Sequence, residues 1–319
     1  MGGPKPTGSR DRPLEGDPLL TAGRRGIIDV HLHWCVYDRP PTVIDEGLTH
    51  LEAAGYDVGV FYPLPGIGLA PERVPEMIPG AFHDIPGLQG GRACYDDVAS
   101  WREFDARWRT RPPAAGGDRR LDALSFLDVR SWDGTTDLAP WWAGGHAGLK
   151  DILVLEEDEA KMAMRSLRRL AGLSREAYLD RHRATFRLAD ELALPLVWHV
   201  DLSLHGDFAR ECLDRHPSVR VDIPHFGFSR KTLGRFFDRH PRLVTDISSM
   251  LPFMRDDPEA YRAFFHGYPD RVLLGSDASP SWGFDQSLQY AHWVIGLGLP
   301  GDLEAAILGG NARRFLGGT

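Results

Sequence analysis

Five residues of types that bind metals or transfer protons stand out by their positions: His31, His33, His199, His225 and Asp277. Each lies at the end of a short apolar run, where a β-strand is expected to stop. Two imidazoles two residues apart, at the end of one strand, can together bind one divalent ion. The repeated placement of such residues at strand ends predicts a metal-dependent site.

The segment 27–33 carries the densest group of these residues. Because side chains alternate with a period of two along a strand, Asp29, His31 and His33 are expected to share one face. Asp29 is then either a residue that orients an imidazole or a buried carboxylate at the start of the strand. The apolar runs that end at the other three candidates are residues 194–199, 219–225 and 271–277.

Strand and helix signals alternate along the chain. We expect eight strands, near residues 26–32, 57–63, 122–128, 147–154, 194–200, 219–224, 242–248 and 271–276. Amphipathic helical patterns lie between several of them, near residues 41–54, 175–192, 206–215, 229–239, 257–266, 284–296 and 301–315. Ser174 is expected to cap the clearest of these helices. This alternation is typical of a parallel barrel or a doubly wound sheet.

The origin of the candidate residues favours the barrel. An open α/β sheet binds its ligand at one switch point, usually with residues from neighbouring strands. Here the candidates come from the first, fifth, sixth and eighth expected strands, which can meet only if the sheet closes. We therefore predict an α/β fold of the (β/α)₈ TIM-barrel type, with the site at the C-terminal mouth of the barrel.

Residues 26–319 are expected to form a single catalytic domain. Residues 1–25 are rich in Gly, Pro and Arg and lack the apolar core of a signal peptide, so we expect a disordered leader. Residues 64–120 are too long for a plain βα connection and are predicted to be an insertion with a helix near 95–109. Residues 64–93 are expected to form a substrate-facing lid or, equally, a surface loop or dimer contact.

Composition excludes several classes of function. The chain is 42% hydrophobic and 26% charged, as globular proteins are. Its net charge of −8 argues against binding to nucleic acid or to an anionic membrane surface, and no apolar run is long enough to span a membrane. Cys35, Cys94 and Cys212 fit neither a disulfide framework nor a cysteine zinc site, which favours the cytoplasm. A homodimer is left open.

Several motifs resemble, in their order and spacing, the amidohydrolase superfamily, specifically the amidohydrolase-2 group that includes aminocarboxymuconate-semialdehyde decarboxylase. The motifs are Asp29–His33, Gly148–Lys150, His199, Pro224–Gly227, Gly275–Asp277 and Gly310–Leu316. They extend over nearly the whole chain after the leader. The segment 64–120 carries no motif of this group, so the resemblance implies nothing there.

The resemblance implies that His31, His33, His199 and Asp277 bind one divalent ion, in the first instance Zn²⁺, with Mn²⁺ or Fe²⁺ as alternatives. An ion in such a site lowers the pKa of a bound water from about 15.7 toward about 7 and polarises a carbonyl group. Asp277 suits the acceptor of a proton. His225 suits an acid–base or polarising role, with ligation of a second ion as its alternative.

Two basic residues are candidates for contact with substrate. In some members of the superfamily that the chain resembles, a lysine at the place of Lys150 is carboxylated and bridges two metals, and in others it binds substrate or is structural. We favour one metal, with Lys150 as a residue that meets a substrate anion or packs. Arg230 is predicted either to meet a substrate carboxylate or to be an exposed charge at a helix start. Asp246 and Ser248 are expected to line the pocket.

The expected activity is metal-dependent hydrolysis of a C–N or C–O bond, in an amide, lactone or cyclic imide of a small organic molecule. Non-oxidative decarboxylation of an unsaturated or aromatic acid at the same mononuclear site is the alternative reaction. A barrel that has lost catalysis and acts as a binding protein is the alternative of another class, and the complete set of ligand-type residues argues against it. The substrate itself depends on loop and pocket side chains that the motifs do not specify.

Overall fold

The computed structural model describes residues 26–34, 36–37, 42–64, 67, 93–94, 98–111, 120–142, 145–162, 164–278 and 285–318. Its centre is a sheet of eight parallel strands that pair in chain order. The strands are β1 Ile27–His33, β2 Tyr56–Tyr62, β3 Asp122–Asp128, β4 Gly148–Ile152, β5 Leu196–His199, β6 Val221–Asp222, β7 Leu243–Asp246 and β8 Val272–Leu273. All eight expected strands are thus present, and the predicted (β/α)₈ TIM barrel is confirmed.

The barrel closes between its first and last strands. The backbone N–H of Val30 donates to the carbonyl of Leu274 at 3.0 Å, and the N–H of Asp277 donates to the carbonyl of His31 at 2.9 Å. These bonds form just beyond β8, where the chain continues alongside β1. Closure therefore brings the first and the last candidate segments of the sequence into direct contact.

Helices follow the strands around the outside of the barrel. They are α1 Thr42–Ala53, α2 Val98–Thr110, α3 Ala139–Trp142, α4 Glu159–Met162, α5 Leu167–Leu170, α6 Arg175–Glu191, α7 Leu202–Arg215, α8 Arg230–Phe237, α9 Leu251–Asp256, α10 Pro258–Gly267, α11 Asp285–Gly296, α12 Gly301–Ala305 and α13 Asn311–Leu316. Short 3₁₀ segments lie at Glu156–Asp158 and His225–Phe228, and a π-helical turn lies at Ala306–Gly310. No helix in these described ranges has both the length and the apolar character needed to cross a membrane.

The helix boundaries follow local capping. Ser174 caps α6 as expected, because its hydroxyl accepts a hydrogen bond from the N–H of Ala177. Helix α7 begins at Leu202, before the expected start near residue 206, since Asp201 caps it by accepting from the N–H of Ser203 at 2.8 Å. The single helix expected over 301–315 is instead divided by the π-helical turn between α12 and α13.

Apolar side chains form two layers, separated by the alternation of side chains along the strands. An inner cluster that includes Val30, Val60, Phe126 and Val197 fills the barrel. A larger cluster packs the outer faces of the strands against the helices. The inner layer is tight at Gly148, where an added Cβ atom would lie 2.6 Å from the Phe126 ring. This packing gives the strand ends a rigid base.

Part of the predicted insertion belongs to the helical layer of the barrel. Helix α2 packs the rings of Trp101 and Phe104 against Trp34, with ring centres 5.1 and 4.6 Å from the Trp34 ring. Two further strands, Val36–Tyr37 and Ala93–Cys94, form a small antiparallel pair outside the barrel. The expectations for the leader, 1–25, and for most of the lid segment, 64–93, concern positions outside the described chain.

Candidate metal centre

Polar side chains occupy the carboxyl end of every barrel strand. In strand order they are His31 and His33, Tyr62, Asp128, Lys150, His199, Asp222 with His225 just beyond it, Asp246 with Ser248 just beyond it, and Asp277 after β8. The carboxyl ends of the strands of a closed parallel barrel meet at one mouth, which is where TIM-barrel enzymes hold their active sites. All the candidate residues of the sequence analysis except Asp29 and Arg230 belong to this set.

His31, His33 and Asp277 converge most closely. Each offers a potential ligand atom, and the three atoms lie within 4.8 Å of one another. His31 Nε2 is 3.3 Å from Asp277 Oδ1, which matches the spacing of roughly 3.3 Å between two ligands of one tetrahedral zinc ion. His33 Nε2 is 2.7 Å from the same oxygen. This is a hydrogen bond that an ion would replace.

The ring of His31 is held by contacts at Nδ1, on the side opposite Asp277. Its Nδ1 lies 2.7 Å from Asp246 Oδ2 and 3.1 Å from Ser248 Oγ. A carboxylate only accepts, so Nδ1 carries the proton and Nε2 turns its lone pair toward Asp277. Burial and the positive charge of Lys150 lower the pKa of His31 to about 4. The ring is therefore neutral at pH 7, as a metal ligand must be.

Asp246 and Ser248 form the support of this arrangement. Burial alone would raise the pKa of Asp246, but the hydrogen bond that it accepts from His31 helps to lower it below its usual range. Ser248 donates to the same carboxylate through its backbone N–H at 2.9 Å and through its hydroxyl. Both residues were expected to line the pocket, and here they orient an imidazole that faces it.

His225 and His199 form the other side of the mouth. The His225 ring centre is 5.5 Å from that of His31 and 4.8 Å from that of His199. His225 Nδ1 lies 2.7 Å from the carbonyl oxygen of Ser248. Because a carbonyl only accepts, Nδ1 carries a proton, which leaves Nε2 as the ring nitrogen that can exchange one.

His199 is not among the three convergent residues, but its environment fits a metal ligand. Its Nε2 is buried and has no hydrogen-bond partner among the described residues. Burial lowers the pKa of His199 well below its usual value, which keeps the ring neutral. A buried, unpartnered nitrogen is rare in a folded protein, and an ion at the mouth would satisfy it. The donor set therefore fits a divalent ion.

Lys150 is fully buried inside the mouth. Its Nζ lies 3.5 Å from His31 Nε2 and 4.8 Å from the centre of the Tyr62 ring. Burial lowers the pKa of Lys150, and the charge of Asp128 opposes that shift. Tyr62 in turn donates from its hydroxyl to the carbonyl of Val30. A basic group thus lies directly beside the convergent residues.

Arg230, the other basic candidate, lies elsewhere. Its guanidinium is 3.5 Å from the carboxylate of Asp257 and 3.8 Å from the centre of the Tyr261 ring. These contacts hold the start of α8 against α10. No described contact joins Arg230 to the histidines of the mouth, so the structure brings Lys150 and the metal-type residues together and leaves Arg230 outside the group.

The expectation that Asp29 shares a face with the two histidines of β1 is wrong. The register between β1 and β2 shifts between Asp29 and Leu32, so strict alternation fails there. The Asp29 carboxylate accepts from the N–H of His31 at 2.9 Å, and from the N–H and the hydroxyl of Ser276 at 3.2 and 2.6 Å. Asp29 therefore ties β1 to the segment that carries Asp277.

The backbone is strained where the site is built. His225, Ser249 and Asp277 have φ angles of 58°, 55° and 64°. Such left-handed conformations are uncommon for residues other than glycine, and they concentrate at functional sites. Close packing adds to this constraint at Gly275, where an added Cβ atom would lie 3.0 Å from the Cβ of His31. Strain of this kind is typical of a functional site and is not explained by the stability of the fold.

Tyr62, Asp128 and Asp222 are not identified from the sequence alone. Each is the last residue of its strand, and in β2 it continues an inward alternation that begins with Val58 and Val60. A polar residue at the last inward position of a strand is the signal that could have found them. Burial and the negative charge of Asp246 raise the pKa of Asp222 well above its usual value.

Comparisons with known proteins agree with this fold. A model of the amidohydrolase family, amidohydrolase-2 type, matches residues 145–318, while no curated protein matches the chain. A solved structure from Agrobacterium tumefaciens is 14% identical with a TM-score of 0.56, covering 92% of this chain and 96% of that one. An uncharacterised TIM-barrel protein from Bordetella bronchiseptica is 16% identical with a TM-score of 0.50, covering 91% and 98%.

A third structure, engineered for organophosphate hydrolysis from a lactonase template, is 14% identical with a TM-score of 0.56, covering 91% of this chain and 94% of that one. At these identities the structures are similar in fold alone. The family match is more specific, since it spans just over half of the chain and includes His199, His225 and Asp277. The chain belongs to the amidohydrolase family of the amidohydrolase-2 type, a family of metal-dependent enzymes.

Proposed function

We propose that this protein is a metal-dependent hydrolase that cleaves a C–N or C–O bond, in an amide, lactone or cyclic imide of a small organic molecule. The observation that carries the proposal is the convergence of His31, His33 and Asp277, with His31 oriented by Asp246 so that its lone pair faces the other two. Membership of a metal-dependent family supports it.

We infer one divalent ion, in the first instance Zn²⁺, held by His31, His33, His199 and Asp277. The unpartnered Nε2 of His199 supports its place among the ligands. When bound, such an ion supplies a water whose pKa is lowered from about 15.7 toward about 7, and it polarises a carbonyl group. The side chains around it must then bind the substrate and move protons.

Two residues are suited to proton transfer. The Ser249 hydroxyl donates to one carboxylate oxygen of Asp277 and orients the carboxylate, while the other oxygen lies beside His33. We assign Asp277 as the acceptor of the proton from water. His225 exchanges a proton only at Nε2, because its Nδ1–H is committed to the Ser248 carbonyl. We assign His225 as the residue that protonates the leaving nitrogen or oxygen.

Lys150 decides between one ion and two. Its Nζ is enclosed by the Tyr62 ring and by His31, and the whole side chain is buried. A carbamate that bridges two ions would need space there for three more heavy atoms. This enclosure supports one ion, with Lys150 as an unmodified amine that meets a substrate anion or packs against Tyr62.

Metal content tests the site. The purified protein is expected to contain about one divalent ion per chain by elemental analysis, and the double variant His31→Ala, His33→Ala is expected to lose it. Unchanged metal content in that variant would remove the histidine pair from the site. Two ions per chain, together with a carbamate on Lys150 detected by ¹³C NMR after labelling with bicarbonate, would replace the mononuclear assignment.

Turnover tests the reaction. The metal-loaded protein is screened against lactones, amides, cyclic imides and aromatic acids, and release of acid or amine is expected rather than release of carbon dioxide. His225→Ala should lower turnover by about 10² to 10⁴-fold while the ion stays bound, because the variant loses acid–base help but no ligand. Release of carbon dioxide would establish decarboxylation instead, and metal loss in His225→Ala would make His225 a ligand.

A further inference from the structure

A lysine of the mouth lies outside the group described so far. Lys161, on α4, has its Nζ 4.7 Å from the centre of the Phe228 ring. The same ring has its centre 5.2 Å from that of His199 and 5.8 Å from that of His225. A single aromatic ring therefore separates the Lys161 ammonium from the two histidines on this side of the mouth.

Asp201 fixes Lys161 in this place. The ammonium donates to Asp201 Oδ2, and Asp201 is fully buried while the Lys161 side chain remains 43% exposed. The other oxygen of Asp201 accepts from the N–H of Ser203 at 2.8 Å. The ammonium is thus anchored on the side of Asp201, and its exposed side faces solvent. An ammonium has three N–H donors, and Asp201 accepts from one of them.

The Lys161–Asp201 ion pair does not cancel to zero charge, because of the helix end beside Asp201. Asp201 is the N-cap of α7, a helix of 14 residues, and the amino end of a helix carries a partial positive charge that offsets a carboxylate there. The positive charge of Lys161 is consequently compensated only in part. A second carboxylate, brought by a ligand, would meet the exposed side of the ammonium.

We propose that Lys161 binds a carboxylate of the substrate and that Phe228 packs against the apolar body of the same molecule. The enzyme then acts on anionic substrates whose carboxylate is remote from the bond that reacts. This inference rests on the proposed function for the position of that bond. Hydrogen bonds between two charged groups are about twice as strong as neutral ones, so this contact selects substrates by charge.

Two probes that share a benzene ring and one carboxylate test the proposal by binding alone. Terephthalate carries a carboxylate at each end of a benzene ring, and its monomethyl ester lacks one of the two charges. Isothermal titration of the zinc-loaded protein at low ionic strength is expected to give at least tenfold tighter binding of terephthalate. Lys161→Gln keeps an N–H donor for Asp201 but removes the charge, and it should reduce that ratio to near one.

Two further variants make the comparison specific. Lys161→Arg retains a positive charge and should keep most of the preference for terephthalate. Lys231→Met removes an exposed lysine on α8 and should leave the preference unchanged. Equal affinities in the wild-type protein, no binding of terephthalate, or a preference that persists in Lys161→Gln would each overturn the proposal.

The titrations are repeated on metal-free protein so that the two proposals can fail separately. The role of Lys161 is scored only by the ratio of the two affinities, and the proposed function only by metal content and bond cleavage. A protein that binds terephthalate preferentially but takes up no ion would refute the metal-dependent hydrolase and leave the anion site standing. A protein that cleaves lactones but binds the two probes equally would refute the anion site and leave the metal-dependent hydrolase standing.

Discussion

Two buried groups of histidine, aspartate and a cation lie on opposite faces of β4, at successive residues. On the inner face, Lys150 joins the mouth. On the outer face, Asp151 accepts from Arg181 Nη2 at 2.8 Å and from the Thr185 hydroxyl at 3.0 Å, and it lies 2.8 Å from His182 Nδ1. Each oxygen of Asp151 thus has a strong partner within the fold.

The inner group is built differently. His199 Nε2 and both oxygens of Asp222 have no hydrogen-bond partner in the parts of the chain that the structure describes, whereas in the outer group this holds for Arg181 Nε alone. The backbone at His225 and Asp277 is also strained. Folded proteins satisfy nearly all buried polar atoms, so the exceptions need a reason. The same residue types therefore form a structural ion cluster on one face of β4 and the proposed metal site on the other.

The largest effect is expected from Asp277→Asn. This variant keeps the shape of the side chain but removes the charge that His31 and His33 approach, so turnover should fall by about 10³-fold or more. The unfolding midpoint of the metal-free protein should change little. Assays of a hydrolysed substrate and thermal unfolding in chelator check both parts. Turnover close to that of wild type would exclude Asp277 from the chemistry.

Asp151→Ala is expected to lower the stability of the fold and to leave the metal site unchanged. The variant leaves the Arg181 charge buried without its carboxylate, which typically costs about 3–5 kcal/mol of the free energy of unfolding. Urea unfolding of metal-free protein measures this change, and the metal content of the folded fraction should stay the same. Asp207→Ala is a matched control, since the Asp207 side chain is 99% exposed. Equal stability of the two variants would contradict the contrast between the groups.

Acid is expected to weaken the outer group through His182. Burial and the charge of Arg181 lower the pKa of His182 to about 4 from 6.5. The unfolded chain therefore takes up this proton first, so the stability associated with neutral His182 is complete above pH 6.5 and is lost as the pH falls toward 4. The loss amounts to about 3 kcal/mol.

The measurement is the pH dependence of the free energy of unfolding in wild type and in His182→Gln. His146 has a similarly lowered pKa, so only the difference between the two proteins reports on His182. The variant should show a shallower decline between pH 6.5 and 4. Parallel curves would show that His182 is already protonated in the folded protein, and that the outer group carries an additional charge.

The smallest effect is expected from Ser248→Ala. Its hydroxyl contacts Asp246, His31 and His225 but does not reach the proposed ion position. Loss of such an outer contact typically weakens metal binding by about tenfold or more while the ligands stay in place. Competition with a chromophoric chelator measures this affinity. An unchanged affinity would mean that Asp246 alone orients His31.

The fold and the convergence of His31, His33 and Asp277 could be predicted because both follow from local rules. Apolar runs of strand length mark the strands, and the carboxyl ends of closed parallel strands must share one mouth. The direction of Asp29 could not be predicted, because the register shift in β1 breaks the period of two without any signal in composition. The alternation of side chains predicts which face a residue occupies only where the strand is regular.

The outer ion cluster also could not be predicted from the sequence. A period of two places Lys150 and Asp151 on opposite faces, but it does not say which face holds a site. The partner of Asp151 lies 30 residues further on, at Arg181, and the contact depends on how α6 packs across β4. Arg230 shows the same limit, since its position near His225 in sequence does not fix the direction of its side chain.

The closure of the barrel between β1 and the segment after β8 would give the proposed ion a structural role as well. His33 and Asp277 are 244 positions apart in the sequence, so an ion bound by both would join the two ends of the domain. Detaching the first strand then requires the ion to leave, which couples fraying of that strand to unfolding of the whole barrel. The concentration of free metal would accordingly set how long the native barrel persists, independently of any turnover.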